Sequence, residues 1–247
     1  MISHRMADVL RVLESGEGPA PVADVIAMAA GALGVDGMAV SLVTDDDLAE
    51  LLWCSDGTTR HFEDLQLTLG EGPGPDAVRT GAMVWVPDLA GVRPARWPAL
   101  AMEAPDLMTR AVFCFPLGIG AIRVGVLTAV RRTPGPMSAQ QTDDALVLAD
   151  ALTVACLGSG AEPPGAAAPA LVPQALQRAV VHQATGMVSV QLAVSLPQAL
   201  LRLRAHAYSS GRSITDVSKD VVDRRLRLGH SLNGADPSTE VERDGSP

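Results

Sequence analysis

The sequence predicts an α+β protein with two domains joined by a linker, and three observations support this fold class. Helical and strand-like apolar patterns fill residues 1–157, with helical patterns at both ends. Residues 158–170 are rich in glycine, alanine and proline and lack periodicity, which indicates a linker. Residues 171–230 show helical spacing alone and predict a small three-helix bundle. The polar, acidic residues 231–247 are expected to form a disordered tail.

The first domain is expected to be an antiparallel sheet flanked by helices. Helical spacing of apolar residues occurs in three segments: Met6–Leu13, Val22–Leu33 and Asp143–Leu157. β-Rich runs predict strands at Gly37–Val43, Leu51–Cys54, Val84–Val86, Val112–Phe115 and Arg123–Val130. The last two strands are expected to form an antiparallel pair, and Asp56 with Gly57 is typical of a turn after the second strand.

The first helix of the second domain, predicted over Pro173–Val194, carries a regular stripe that we name the seam. It consists of Leu176, Val180, Gln183, Met187, Val190 and Val194. Spacing that alternates between four and three residues is typical of a coiled-coil contact, and an ordinary amphipathic core helix shows it too. Gly186 costs about 1 kcal/mol relative to alanine in a helix. That cost suggests close approach of another backbone or of nucleic acid.

Two shorter helices follow and complete the predicted bundle. Ser195 and Gln198 form a capping box at the start of the second helix. Its shared apolar face is Leu196, Leu200, Leu203 and Ala207. Ser213 and Asp216 predict the start of the third helix. The residues expected to point inward from it are Ile214, Val217, Val221 and Leu228.

Charge is distributed unevenly along the chain. The net charge is −9, yet residues 171–230 carry eight basic residues and three acidic ones. Residues 1–170 carry 10 basic and 21 acidic residues. A basic module on an acidic protein points to a polyanionic partner, and a solvated helical face is the alternative interpretation.

Several classes of protein are excluded by the composition. Cys54, Cys114 and Cys156 are too few and too scattered for a disulfide framework, which favours a reducing cytoplasm. The longest stretch without charged residues, Ala179–Leu201, contains His, Gln and Pro residues, so no membrane-spanning helix is predicted. The charged N-terminus shows no signal peptide. We therefore expect a soluble cytoplasmic protein without a membrane partner.

No catalytic residue, metal site or cofactor is predicted. The first domain has only His4 and His61 as histidines, and neither lies close to a second ligand in sequence. Cys114, between two phenylalanines, is expected to be a buried inert thiol. The glycine-rich run Gly70–Gly74 lacks the Lys-Ser/Thr of a phosphate loop. The protein is therefore not expected to be an enzyme.

Four segments of the first domain resemble the GAF domain of bacterial regulators. They are Leu69–Ala77, Val84–Leu89, Phe115–Leu117 and Gly125–Leu127, and the resemblance spans roughly residues 9 to 157. GAF domains usually sense small molecules or mediate dimerisation. Some reduce free methionine sulfoxide with clustered cysteines, a pattern that the three cysteines here do not match. The resemblance implies a sensor for a small molecule that the sequence does not name.

Four segments of the second domain are similar to the ANTAR domain, an RNA-binding antiterminator module. They are Gln183–Met187, Val194–Leu200, Leu203–Ala207 and Ile214–Val222. The resemblance implies a homodimeric GAF and ANTAR regulator of the actinobacterial type, which binds paired stem-loops in leader transcripts and so favours antitermination. Thr185 stands where many members carry a lysine, which removes one positive charge.

Base stacking and phosphate contacts are the chemistry that RNA loops require. The candidate RNA contacts are Arg178, His182, Thr185, Gly186, Arg202, Arg204, His206, Tyr208, Arg212, Lys219 and Arg224. Two alternatives stay open. The last two helices could form a DNA-binding helix-turn-helix with Ser209–Gly211 as its turn. The bundle could also be a dimerisation or signalling module that binds no nucleic acid.

Overall fold

The computed structural model describes residues 1–15, 22–43, 49–158 and 172–229. The predicted linker beyond Gly158 and the predicted acidic tail lie outside these residues. Five strands form one sheet in the N-terminal domain: β1 (Gly37–Val43), β2 (Ala49–Cys54), β3 (Val84–Val86), β4 (Ala111–Ile119) and β5 (Ile122–Arg131). All neighbours are antiparallel, in the order β2-β1-β5-β4-β3. The predicted α+β class and the pairing of the last two strands are confirmed.

Helices cover both faces of this sheet. They are α1 (His4–Ser15), α2 (Val22–Leu33), α3 (Gly57–Leu69), α4 (Pro73–Thr80), α5 (Pro98–Glu103) and α6 (Ala139–Gly158). Side chains alternate along β4: Phe113 and Phe115 pack with α1, α2 and α6, whereas Val112 and Cys114 pack with α3 and α4. Full burial of one such phenylalanine stabilises the fold by about 1.5–3 kcal/mol.

Helices α3 and α4 are not predicted by the apolar pattern. The buried face of α3 contains polar residues such as Thr59, Glu63 and Gln66, which hides its helical periodicity. Asp56, expected in a turn, is instead the N-cap of α3 and accepts hydrogen bonds from the Thr58 and Thr59 amides. Helix α4 begins at Pro73, inside the glycine-rich run Gly70–Gly74, whose composition is typical of a loop.

The C-terminal bundle consists of α7 (Val172–Leu192), α8 (Leu196–Ser209) and α9 (Ile214–Val222). The predicted capping box of Ser195 and Gln198 is present at the start of α8. Two details differ from the prediction. Leu196 is exposed, because the buried face of α8 uses Ala199 in its place. Leu228 is buried as predicted, but it lies beyond the end of α9.

The seam of α7 does not form the core of the bundle. The core residues of this helix are Val181, Ala184, Val188 and Leu192. The described seam residues lie beside that face: Val190 is 85% exposed, and Val180, Met187 and Val194 are only partly buried. Val180, Met187 and Val194 pack against the edge of the core, so both interpretations of the seam stay open.

Candidate nucleic-acid interface

The bundle packs against α3 and β2 of the N-terminal domain. Leu67 of α3 belongs to the hydrophobic core of the bundle. The hydrogen bonds between the domains include two to α3: Arg204 Nε donates to the Leu67 carbonyl oxygen at 2.9 Å, and the Ile214 amide donates to Thr68 Oγ1 at 3.1 Å. The bundle therefore has a docked face, containing Arg204 and Ile214, and an outer face that points away from the N-terminal domain.

Arg204 lies at the centre of the docked face. Its side chain is half-buried, and burial lowers the pKa of its guanidinium. Gly70, in the left-handed region at φ 71°, gives the guanidinium room, because a Cβ there would lie 2.8 Å from Arg204 Nη1. In this arrangement Arg204, a predicted RNA contact, is used to hold the two domains together.

Three further predicted contacts face the N-terminal domain. The Tyr208 hydroxyl donates to Met102 Sδ at 3.8 Å, and the residue is 43% exposed. Tyr208 and Arg212 line a cavity of about 200 Å³ that also includes His61 and Glu103. His182 Nε2 lies 3.9 Å from Glu50 Oε1 on β2. In the docked arrangement, therefore, four of the residues expected to bind RNA face the N-terminal domain: His182, Arg204, Tyr208 and Arg212.

Thr185 occupies the position of the missing lysine and is turned inward. The residue is 5% exposed, and its hydroxyl donates to the Val181 carbonyl oxygen at 2.7 Å. This back-bond to the preceding turn is the usual way in which a threonine is accommodated in a helix. The Thr185 hydroxyl therefore serves the bundle and is not presented to an external ligand in this arrangement.

The outer face contains an open groove between α7 and the segment after α9. Its lining includes Gly186, Met187 and Val190 from α7, together with Arg224 and Arg227. A Cβ on Gly186 would meet no heavy atom within 4 Å among the described residues. The glycine is thus not explained by contacts inside the bundle, and the groove gives an external molecule access to the backbone there.

Arg224 and Arg227 are the exposed cations of this groove. No ion pair joins either one to a carboxylate in the part of the chain that the structure describes. Arg224 has φ 60°, in the left-handed region at the end of α9, where glycine is usual. A side chain held in that region costs about 1–2 kcal/mol. The backbone at Arg224 is therefore strained.

Other basic residues of the bundle are held by acidic neighbours. Asp220 accepts from Arg212 at 2.6 Å and from Arg225 at 2.9 Å, and these bonds lower the pKa of Asp220. Lys219 lies 3.2 Å from Asp216. Because surface pairs of this kind are weak, these cations can still exchange partners for a phosphate. Arg224 and Arg227 need no such exchange.

The remaining predicted contacts are less well placed. Arg202 and His206 are half-buried on the flank of α8 opposite Arg204 and Tyr208. The side chain of Arg178 lies outside the described residues. Arg227, by contrast, adds to the predicted contacts. Arg227 could have been predicted from the sequence, because it lies three residues after Arg224 in a run of basic residues that follows the third helix.

The cysteines and histidines form no metal site among the described residues. Cys114 is fully buried, and burial raises its pKa; burial also raises the pKa of Cys54 to about 11.

Across the described ranges no single helix is long and apolar enough to span a membrane. The pair Ala179–Leu192 and Leu196–Ser209, bent by 106°, passes by length and composition only when the two are combined.

Comparison with protein families finds a match for the C-terminal bundle. Residues 173–222 match the ANTAR domain. The match covers nearly all of α7 and the whole of α8 and α9, and it confirms the resemblance inferred for this part of the chain. No curated protein matches the chain.

Solved structures similar to the chain include two GAF domains of phosphoenolpyruvate-protein phosphotransferases. The Acinetobacter domain is 14% identical, with 66% of this chain and 98% of that chain covered and a TM-score of 0.48. The Coxiella burnetii domain is 19% identical, with 65% and 100% covered and a TM-score of 0.46. A free methionine-R-sulfoxide reductase from Neisseria meningitidis is 18% identical, with 65% and 95% covered and a TM-score of 0.44. Structures that are this distantly similar identify neither a ligand nor an activity for this chain.

Proposed function

We propose that this protein is a cytoplasmic, non-enzymatic regulator of transcription whose C-terminal bundle binds stem-loops in nascent RNA. The observation that carries the proposal is that the ANTAR-matching bundle leaves Arg224 and Arg227 exposed beside a groove. Guanidinium groups suit RNA because they bind phosphates and stack on unpaired bases. Stabilising an antiterminator hairpin over a terminator would then switch transcription.

The N-terminal domain is proposed to be a GAF-type sensor. Its support is the set of four GAF-like segments, all of which lie on described elements of the domain or on the turns between them. Leu69–Ala77 forms the end of α3, the following turn and the start of α4, and Phe115–Leu117 lies on β4. The hydrogen bonds of Arg204 and Ile214 to α3 give a change in this domain a direct route to the bundle.

The seam supports a homodimer as the active form. Val190 is 85% exposed, and Met187 beside it is only partly buried against the core of the bundle, so this part of the seam presents apolar surface to a partner. The seam of one α7 can pack against the seam of a second copy, because both have the same 3.5-residue period. Gly186 lies beside the seam and would allow the two helix backbones to approach closely. A dimer carries two sets of Arg224 and Arg227, one per copy, which suits a target with two stem-loops.

The helix-turn-helix alternative is not favoured. A recognition helix reads bases with its N-terminal residues. The corresponding end of α9 begins at Ile214, whose amide is bonded to Thr68 of the N-terminal domain. Lys219, the cation of this helix, is paired with Asp216.

Titration of the full chain against three nucleic acids tests the proposal. They are an RNA with two hairpins, the same RNA with its loops replaced, and duplex DNA of equal length, each at about 50 mM and about 200 mM salt. We expect the intact RNA to bind at least about tenfold more tightly than the other two, which corresponds to about 1.4 kcal/mol. Arg227→Gln should lower the salt slope by about one, because one phosphate contact is lost.

Arg5→Gln is the matched control, since Arg5 is an exposed arginine on α1 of the other domain. Its affinity and salt slope should equal those of the unmodified chain. Equal affinity for all three nucleic acids would reduce the interaction to nonspecific electrostatics and would contradict the proposal.

A further inference from the structure

A cavity of about 350 Å³ lies where the bundle meets the N-terminal domain. Its lining comes from α3, the turn after it, α4, Trp97 and Arg123, and the bundle contributes Arg204. The volume falls at the lower end of the range for small-molecule sites. Because Arg204 belongs to α8, this cavity is complete only when the two domains are docked.

The carboxylates that line the cavity are satisfied by donors of the protein itself. Glu71 Oε1 accepts from the Ala99 and Leu100 amides at 2.7 and 3.0 Å. Asp76 pairs with Arg79 at 2.8 Å and with Arg96 at 3.3 Å. Glu63 Oε2 accepts from Ser41 Oγ and Oε1 from Gln66 Nε2, both at 3.2 Å. These acids therefore leave little demand for a cation in the cavity.

Two of the cations that line the cavity are not paired with carboxylates. Neither Arg123 nor Arg204 forms an ion pair with a carboxylate of the described chain. Arg204 Nε donates to a backbone carbonyl oxygen, which leaves the positive charge of this guanidinium without an anionic partner. A guanidinium of this kind can pair with the phosphate or carboxylate of an external molecule.

We propose that this cavity binds a small anionic molecule, with a phosphate or carboxylate group held by Arg123 and Arg204. Two guanidinium groups can donate to the oxygens of either anion. The lining contains four arginines against three carboxylates, so its net charge also favours an anion.

Binding of this anion stabilises the docked arrangement, because Arg204 reaches the site only from the docked bundle. The consequence for transcription rests on the proposed function. If Arg204 contacts RNA when the bundle is released, the anion and RNA compete for the same side chain. The anion then lowers RNA affinity, and by reciprocity RNA lowers anion affinity.

The anion site is tested without RNA, so its failure is distinct from a failure of RNA binding. Thermal unfolding of the full chain is followed with inorganic phosphate or succinate, at constant ionic strength, with glycerol as the uncharged control. A ligand that binds only the folded state raises the unfolding midpoint in a saturable way. We expect this rise with at least one of the two anions; which one responds distinguishes a phosphate site from a carboxylate site.

Variants assign the effect to the cavity. Arg123→Gln changes an exposed side chain and should weaken the apparent anion affinity about tenfold or more. Arg204→Gln should do the same, whereas Arg5→Gln should leave the response unchanged. No saturable rise with either anion, or an equal rise in Arg123→Gln and in the unmodified chain, would overturn the proposal.

Discussion

Arg204 Nε donates a 2.9 Å hydrogen bond to the carbonyl oxygen of Leu67, and this bond ties the RNA-binding candidate to the sensor candidate. The acceptor lies in the last turn of α3, and the same guanidinium rests against Gly70 directly after it. A shift of this turn therefore changes the environment of a charged side chain on α8. This contact gives the proposed coupling between the domains a physical basis.

Removing the Thr68 hydroxyl should weaken the docking of the bundle. In Thr68→Val the buried Ile214 amide loses its acceptor, which costs about 1–3 kcal/mol and should speed exchange of that amide about 5–150-fold. Hydrogen exchange of Ile214 by nuclear magnetic resonance measures this. Thr80→Val is the matched control, because the Thr80 hydroxyl makes the same kinds of bond on an exposed helix end. An unchanged Ile214 rate in Thr68→Val would mean that the bond does not hold the interface.

Arg224→Gly should raise stability and lower RNA affinity. Glycine relieves the left-handed backbone at φ 60°, so the free energy of unfolding should rise by about 0.5–1 kcal/mol. Loss of one phosphate contact should reduce the salt slope of RNA binding by about one. Denaturant unfolding and RNA titration measure the two effects.

Ala193→Gly separates the backbone effect from the charge. Ala193, just after α7, is the other non-glycine residue in the left-handed region of the described chain, at φ 50°. This variant should gain similar stability and keep full RNA affinity. A loss of affinity in both variants would assign the effect to the backbone and contradict the role of the Arg224 charge.

Val190→Asp should disrupt the dimer and leave the fold of the protomer intact. Val190 lies on the seam and is 85% exposed, so a carboxylate there meets water in the monomer but an apolar partner in the dimer. Sedimentation equilibrium across a range of protein concentrations measures the shift. Leu201→Asp, an equally apolar and 65% exposed position on α8, should not alter association. Equal association of both variants would exclude the seam as the contact.

The thiols should react in an order set by their burial. Cys54, with a pKa raised by burial to about 11, is ionised in about one molecule in a thousand near pH 8. Cys114 is fully buried and should be slower still, whereas half-buried Cys156 should react first. Alkylation followed by mass spectrometry reads the order. Labelling of Cys114 in the native protein as fast as Cys156 would show that β4 opens or that the thiol is activated.

Much of the fold could be predicted because its elements carry apolar periodicity. Strands such as Val84–Val86 and the capping box of Ser195 are found where the local pattern places them. Helix α3 could not be found this way, because its buried face holds Glu63 and Gln66, whose partners Ser41 and Gly74 lie outside the helix. Its local signals were the caps, Asp56 and Gly70.

The site was less predictable than the fold for a related reason. Local spacing places Arg204 and Tyr208 on one flank of α8 and Arg202 and His206 on the other, but it does not say which flank docks. That choice depends on Leu67 and Thr68, which lie more than a hundred residues away in the chain. Likewise Thr185 is turned inward because the core of the bundle, rather than the periodicity of α7 alone, sets the orientation of that helix.

The most direct measurement is the ratio of two dissociation constants of the full chain, for the two-hairpin RNA and for the same RNA with its loops replaced. If the bundle recognises folded transcripts, the RNA with intact loops should bind about ten times more tightly or better than the RNA with replaced loops. This preference should disappear when Arg224 and Arg227 are both changed to glutamine. A ratio near one, at low and at high salt alike, would contradict the central claim that this bundle recognises RNA stem-loops.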